Sequence, residues 1–564
     1  MSGTVIRVEP LNAENYDTWK LQMKAILIKN DLWSYVEGTA SCPTGEAAAK
    51  WISFDQKACA DIMLSVSASE LRLIAECTNS NEMWMKLQAT YSSKGPARKA
   101  TLLKKVALSR MKEGNSKLLG IHILHKPALL IRDPYIIELI LIKKFNYFLN
   151  RFEAADPYND LLGSLTLPLA KYSIWHDSRK AISALFTSGT LKNRMFPIIL
   201  QVAAKLQTYI DLKFQNHTIS PIIEVKEMSA KFTTDLTVKL LFSVEEFSLQ
   251  NKNSKFRTQC RKVLEPSLIK ILHFLIIFFL PNQANIFRAK VFPQSYVNFL
   301  KNEVDKMMKN TIHLNNECND LIAVLLQLQS EAKNINHSLI KHPDFILSQV
   351  AIFLIAGFET SSSLIAFTLY EMAKQPKLQY NLRCEIKEIF SIINTSQFTH
   401  ETLSSMTYLD MLVSEALRMY PAAAFINREC TPNGNDVGFS LEPFVNFDIP
   451  KGMPAYISIL GLHRDSKYWK DPDRFDPDRF CSERKKLIHP MTYIPFGAGP
   501  HACVGSRLGI LQIKLGLVHI FKSFTVEICE KTASKIKFDP KSFMLQSKGG
   551  IYLKFRKQKL LSNT

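Results

Sequence analysis

Phe496-Gly-Ala-Gly499-Pro-His501-Ala-Cys503-Val-Gly505 is the stretch on which the reading of this chain turns. A lone cysteine set among glycines, followed at once by the amphipathic segment Ser506 to Phe521, has the makings of a thiolate ligand to a large planar cofactor. Glycine lets backbone pass close beneath a flat ring where a Cβ would collide. The apolar residues after it recur at helical spacing, and the amides and positive dipole end of a helix starting there stabilise a sulfur anion. Phe496 is placed to shield that sulfur from water. The competing reading is a buried structural cysteine in a tight strand-to-helix turn, since free cysteines are often buried; the glycine spacing favours the ligand.

This loop resembles the haem-binding signature of the cytochrome P450 monooxygenases, Phe-x-x-Gly-x-Arg-x-Cys-x-Gly. Phe496, Gly499, Cys503 and Gly505 stand in register, with His501 where the family usually has Arg. The resemblance implies a haem whose iron takes Cys503 as axial ligand, and a hydrogen bond from His501 to a propionate. Further stretches follow in the family's order. Ala356-Gly357-Phe358-Glu359-Thr360, within the helical pattern Phe345 to Gln375, is similar to the oxygen-activation helix. There the small Ala-Gly pair opens space against the cofactor, and a threonine hydroxyl bonded within its own helix disturbs the ladder and leaves a notch for dioxygen. Thr360 then donates a hydrogen bond toward dioxygen and Glu359 relays protons from solvent. On its own, Gly-x-x-Thr in an apolar helix is ordinary packing.

Glu415-Ala-Leu-Arg418 lies on one face of the helical run Tyr408 to Tyr420. Such a pair is normally a surface bridge of little worth. Here it matches the family's Glu-x-x-Arg, whose partner is Arg479 in Phe475-Asp-Pro-Asp-Arg-Phe480, giving a buried structural triad. Trp175 and Arg179 resemble a Trp-x-x-x-Arg helix, and Arg428 a later arginine, both facing the propionates; guanidinium forks suit carboxylates. An exposed amphipathic helix is the other reading of Trp175. The resemblance covers about Leu118 to Phe555 and is greatest to the insect microsomal branch that handles xenobiotics and lipids. It implies a mainly α fold with a small β portion, an NADPH-dependent reductase as partner and a lipophilic small-molecule substrate. One oxygen atom is inserted into a C–H bond in a pocket walled by Phe353, Ala356, Ala423 and Phe425.

The region before Leu118 reads differently. Microsomal members open with an apolar anchor, a first helix and the start of a sheet, which this chain is expected to lack. No apolar run there approaches the roughly 20 residues that span a bilayer, and no signal peptide is visible. Leu11-Asn-Ala-Glu-Asn-Tyr16-Asp-Thr-Trp19, Leu32-Trp33, Trp51, Asp55 and Trp84 to Tyr91 make an aromatic-rich helical segment. It resembles the amino-terminal part of the Gag polyprotein of copia-type retrotransposons and ends near Arg110-Met-Lys-Glu113; an unrelated small helical domain is the alternative. The expected organisation is an all-α Gag-like module over 1–117 joined at Asn115-Ser-Lys117 to a monooxygenase domain over 118–564.

Composition agrees with two globular parts: 564 residues, 46% hydrophobic, and ten cysteines with no C-x-x-C pair, so neither a zinc ribbon nor a disulfide scaffold is indicated. The net charge of +20 raises the question of nucleic acid. Up to Lys117 there are 16 basic and 12 acidic residues, or +4, which leaves +16 for the remainder. That excess suits an acidic reductase and anionic headgroups better than nucleic acid, and no Gly-x-x-x-x-Gly-Lys loop is present. Leu268 to Leu280 is apolar but too short to span, which points to a core or interfacial helix and to peripheral attachment at the cytosolic face of the endoplasmic reticulum. Beside the monooxygenase stands a second function: a non-catalytic assembly protein in which the Gag-like module self-associates and the enzyme part is inactive.

Overall fold

The computed structural model describes residues 10–91 and 117–558, apart from 12–15, 40–42, 46, 125, 216–219, 252–253, 394–397, 433, 435 and most of 314–341. The expected junction residues Asn115 and Ser116, and the end of the first module at 110–113, lie outside the described residues. The chain divides into two compact units, Met1–Lys99 and Ala100–Thr564.

The first unit is helical, with helices Tyr16–Lys29, Trp33–Glu37, Ala47–Leu64, Ala68–Ile74 and Ser80–Tyr91. The aromatics singled out in the sequence meet in its core. Trp19 stacks on Trp84 at 5.7 Å and Trp33 meets Trp84 edge-on at 5.2 Å. A buried indole needs a partner for its N–H, and Trp19 donates to Ser65 O at 2.7 Å. Buried Asp55 accepts from the Ser80 amide at 3.1 Å and its hydroxyl at 2.5 Å, which caps the last helix.

The large unit is mainly α with nine strands among its described residues. Strands β1 (Leu118–Ile123), β2 (Lys126–Ile131), β4 (Phe425–Glu429) and β7 (Pro454–Ser458) form a sheet in the order β1-β2-β7-β4. β3 (Ile222–Glu224), β9 (Tyr552–Lys557) and β8 (Phe524–Glu527) form a second sheet, and β5 (Gly438–Ser440) pairs with β6 (Asp448–Pro450). The hairpin β1–β2 supplies two strands of the main sheet, so the expectation that the start of a sheet is missing is not met. All five residues of β7 are buried, because it is an inner strand covered on both faces. In register with it, Arg428 pairs with Ala455 and Leu129 with the same alanine from the other side.

The central helix, Asp344–Lys374, is the one among the described residues long and apolar enough to cross a membrane, yet most of it is buried in protein. It packs on the helix Val225–Phe242, where Thr233 Oγ1 donates to Phe358 O at 2.9 Å. Gly357 is required by that approach, since a Cβ would stand 2.9 Å from Thr237. The expected helix after the cysteine loop runs from Ser506 to Ser523, and its Gln512 Nε2 donates to Gly357 O at 3.0 Å. The apolar segment at 268 is a helix, Leu268–Phe279, whose Ile271, Leu275 and Phe279 pack on Ile123, Ala128 and Leu130 of the hairpin. Leu268 and Ile269 at its start stay 73% and 68% exposed.

Glu415 and Arg418 lie in the helix Thr407–Met419. Arg418 donates twice to the Glu415 carboxylate, at 2.7 and 2.8 Å, and to His463 O at 2.8 Å. Arg479 Nε reaches Glu415 at 3.4 Å, and the Asp476 amide donates to it at 2.8 Å. All three side chains are buried. His463 continues the chain of contacts: its Nδ1 meets Arg418 O at 3.2 Å, while Nε2 accepts from the Ile494 amide at 2.9 Å, just before the cysteine loop. Burial, then the Arg418 charge, push its pKa from 6.5 down to about 3.

A ring held neutral when folded takes up a proton on unfolding between pH 6.5 and about 3. Stability is therefore full above pH 6.5 and falls as the pH drops through that window. His463→Gln keeps a donor and an acceptor, and is expected to reduce proton uptake on unfolding near pH 5 by about one, read as a flatter acid limb in melting temperature against pH. Glu415→Ala strands two buried arginines and should cost about 3–5 kcal/mol in denaturant unfolding.

Candidate functional site

The cysteine loop is shaped by two backbone conformations that favour glycine, Gly497 at φ 73° and Gly499 at φ 71°. Its turn is closed by the Cys503 amide donating to Phe496 O at 2.9 Å and the Ala502 amide to Gly499 O at 2.9 Å. The two signature glycines serve different ends. A Cβ on Gly499 would sit 2.0 Å from Leu141 O, so here the close approach is to the turn Leu139–Lys143 of the protein itself. Around Gly505 a Cβ would meet nothing, which leaves open space of the kind a flat ligand fills.

Cys503 presents an exposed face although protein encloses it on its other sides, as befits a residue lining a hollow. Burial pushes its thiol pKa up, against the Gly505 amide and the charges of Arg179 and Arg151. A bound metal cation reverses that balance, because a coordinating thiol is deprotonated outright.

Arg151 and Arg179 carry their charges beside it, and Arg428 lies next to Arg151. Arg151 donates to His501 O at 3.2 Å and to Pro168 O at 3.0 Å. Buried Arg428 donates to Asn427 O at 2.6 Å, while its Nε has no partner; burial, then Arg151, bring its pKa down to about 9. Arg179 lies in the helix Tyr172–Ser183, its pKa lowered by burial and raised by Cys503. The Arg428 guanidinium has given up water without gaining a full set of partners. That is a costly state unless an anion completes it. Trp175, buried on the same helix, lies against the His501 ring at a centroid distance of 3.9 Å.

His501 Nε2 faces Leu149 O at 2.8 Å and must carry the hydrogen, because a carbonyl only accepts. Nδ1 is buried without a partner, and burial, then Arg151 and Arg428, depress the pKa to about 2. With Nε2 donating, Nδ1 is the nitrogen left to accept.

On the central helix, Ala356 is exposed in the middle of a buried stretch, and the Thr360 hydroxyl donates to its carbonyl at 2.9 Å. Of the expected small pair, Ala356 is the one left exposed, while Gly357 faces Thr237. Glu359 is buried and paired with Lys226 at 2.9 Å, with Gln546 Nε2 also donating to it. Of the named wall residues, Phe353 meets Phe186 edge-on at 6.1 Å and Phe425 lies 5.9 Å from Tyr456.

Sequence reasoning missed Arg151, His463 and Gly497. Gly497 lies inside the motif, where being a glycine was the available signal for the positive φ the structure shows. Arg151 and His463 carry none, because each acts through a fold contact.

A cysteine loop ahead of a helix, with the charges of Arg151 and Arg179 beside it, is an arrangement compatible with a haem-thiolate site. The comparisons agree. Residues 102–554 match the family model "Cytochrome P450", and residues 23–124 match "gag-polypeptide of LTR copia-type". The chain is 47% identical to "Probable cytochrome P450 6t3" of Drosophila melanogaster over 80% of its length and 87% of that protein. It is 39% identical to "Probable cytochrome P450 6t1" of the same species over 78% and 83%, and 34% identical to "Cytochrome P450 6l1" of Blattella germanica over 78% and 84%. The chain belongs to the cytochrome P450 family, a family of haem-dependent monooxygenases.

The glycines can be told apart by experiment. Gly499→Ala meets Leu141 O and a left-handed backbone, and should cost upward of about 3 kcal/mol in urea unfolding. Gly505→Ala enters open space and should stay within about 1 kcal/mol.

Proposed function

We propose that the large unit would hold haem through the Cys503 thiolate, with Arg151, Arg179 and Arg428 at its carboxylates, and inserts one oxygen atom from O2 into a lipophilic small molecule. The observation that carries this reading is the placement of Cys503 ahead of a helix with Arg151 and Arg179 beside it and, next to Arg151, a buried Arg428 whose Nε has no partner. A haem with a thiolate ligand supplies the activation of dioxygen. The chain supplies the rest. Gly505 donates its amide to the Cys503 sulfur and steadies its charge. Thr360 holds a hydroxyl at the Ala356 notch, where it can pass a proton into the hollow. Glu359 and Lys226 make the inner and outer ends of a route by which that proton is replaced, since the Lys226 side chain reaches partly into solvent. Phe353, Ala356, Ala423 and Phe425 exclude water and favour an apolar substrate.

Electrons come from an NADPH-dependent flavoprotein reductase, drawn to the +16 carried after Lys117. The exposed Leu268 and Ile269 seat the unit on the cytosolic face of the endoplasmic reticulum. The Gag-like residues form a module of their own, whose described helices run from Tyr16 to Tyr91.

The deciding experiment is a reduced carbon monoxide difference spectrum of the purified chain. A red-shifted Soret band that disappears in Cys503→Ala is expected, and absence of haem from the parent chain would overturn the reading. The membrane seat is checked by co-sedimentation with anionic vesicles, where Leu268→Glu with Ile269→Glu should lower the bound fraction several-fold; a parent chain that stays in the supernatant counts against it.

A further inference from the structure

The arginine cluster contains one carboxylate that no motif predicts. Glu153 is 8% exposed. Its Oε1 stands 4.0 Å from Arg151 Nε, and its Oε2 accepts from Asn427 Nδ2 at 2.5 Å. Asn427 in turn accepts the Phe152 amide at 2.8 Å, so the segment 151–153 is fastened to β4 through this acid and its neighbour. Glu153 also acts on Arg428, which lies beside Asn427 in the same strand. The other charged neighbour, Lys171, is answered separately: it pairs with Glu429 at 3.3 Å and donates to Arg151 O. Against three guanidiniums there is thus one carboxylate, which leaves two positive charges in excess.

We infer that Glu153 is a resident counter-anion of this cluster: it balances the third arginine, holds the empty chain together, and loosens the grip on an incoming dicarboxylate by repelling it. The inference rests on the haem reading, since haem carries two carboxylates and so brings the cluster to neutrality with Glu153 in place. The direction of the effect follows from a cycle. Attraction between Glu153 and the arginines is present with and without the ligand and cancels from the binding free energy. Repulsion between Glu153 and the ligand's carboxylates exists in the complex alone and does not cancel. Removing the charge therefore tightens the complex while weakening the empty chain.

The test uses the full chain, loaded with haem and empty. Glu153→Gln can still accept from Asn427, and is expected to release haem to apomyoglobin roughly tenfold more slowly than the parent, the order that loss of one like-charge repulsion in a partly buried site gives. The empty variant should melt several degrees lower. Glu153→Asp keeps the charge and should release haem at the parent's rate, which a mere packing role would not allow. With haemin dimethyl ester, whose carboxylates are neutral, parent and Glu153→Gln should bind alike. Should Glu153→Gln fail to fold empty, its release rate is read on chain expressed with haem. Release as fast as the parent's, or faster, overturns the inference and leaves the haem reading standing; failure of the parent to bind haemin overturns both.

Discussion

The Glu415 carboxylate is the point from which the site hangs. It receives two bonds from Arg418, one from Arg479 and one from the Asp476 amide, all out of water. A charge so enclosed is tolerable only when every lone pair is answered, and removing one partner leaves the others stranded. The consequence is geometric. Arg418 passes its hold to His463, His463 passes it to the Ile494 amide, and the cysteine loop begins two residues later. A helix end, an irregular stretch and a ligand loop, distant in sequence, are thereby set to one position. The loop then needs few contacts of its own to aim its sulfur.

Some of this was legible because it is local. The glycine-bounded cysteine, the helix after it and the Glu-x-x-Arg pair each lie within a short window, and their periodicity translates directly into structure. The sequence also named Arg479 as the third partner, through resemblance to a family pattern rather than through spacing. What stayed hidden acts across long separations. Arg151 reaches His501 across 350 residues, and neither its neighbours nor its spacing announce it. The present partner of His501 was hidden for the same reason: its acceptor, Leu149 O, and the charges that depress its pKa come from elsewhere in the chain. Gly357 shows a subtler limit. That the position wants no side chain is readable; that Thr237 rather than a ligand is what presses on it is not.

The small unit makes the same point with different chemistry. Its tryptophans were visible as anchors, and Trp19, Trp33 and Trp84 do meet in its core. Asp55, quoted from the sequence without a role, caps a helix by accepting from Ser80, a bond that depends on two helices being brought together. Aromatic content predicts that a core exists; polar pairing within it is settled only by the fold.

The contact at Gly499 has an asymmetry worth following. The atom that bars a Cβ there is the carbonyl oxygen of Leu141, a group every amino acid carries. No change of side chain at 141 can make room at 499, and none is needed to keep the fit. In descent, then, position 141 answers to its own buried place in the core rather than to this contact, and no second change there can rescue a lost glycine.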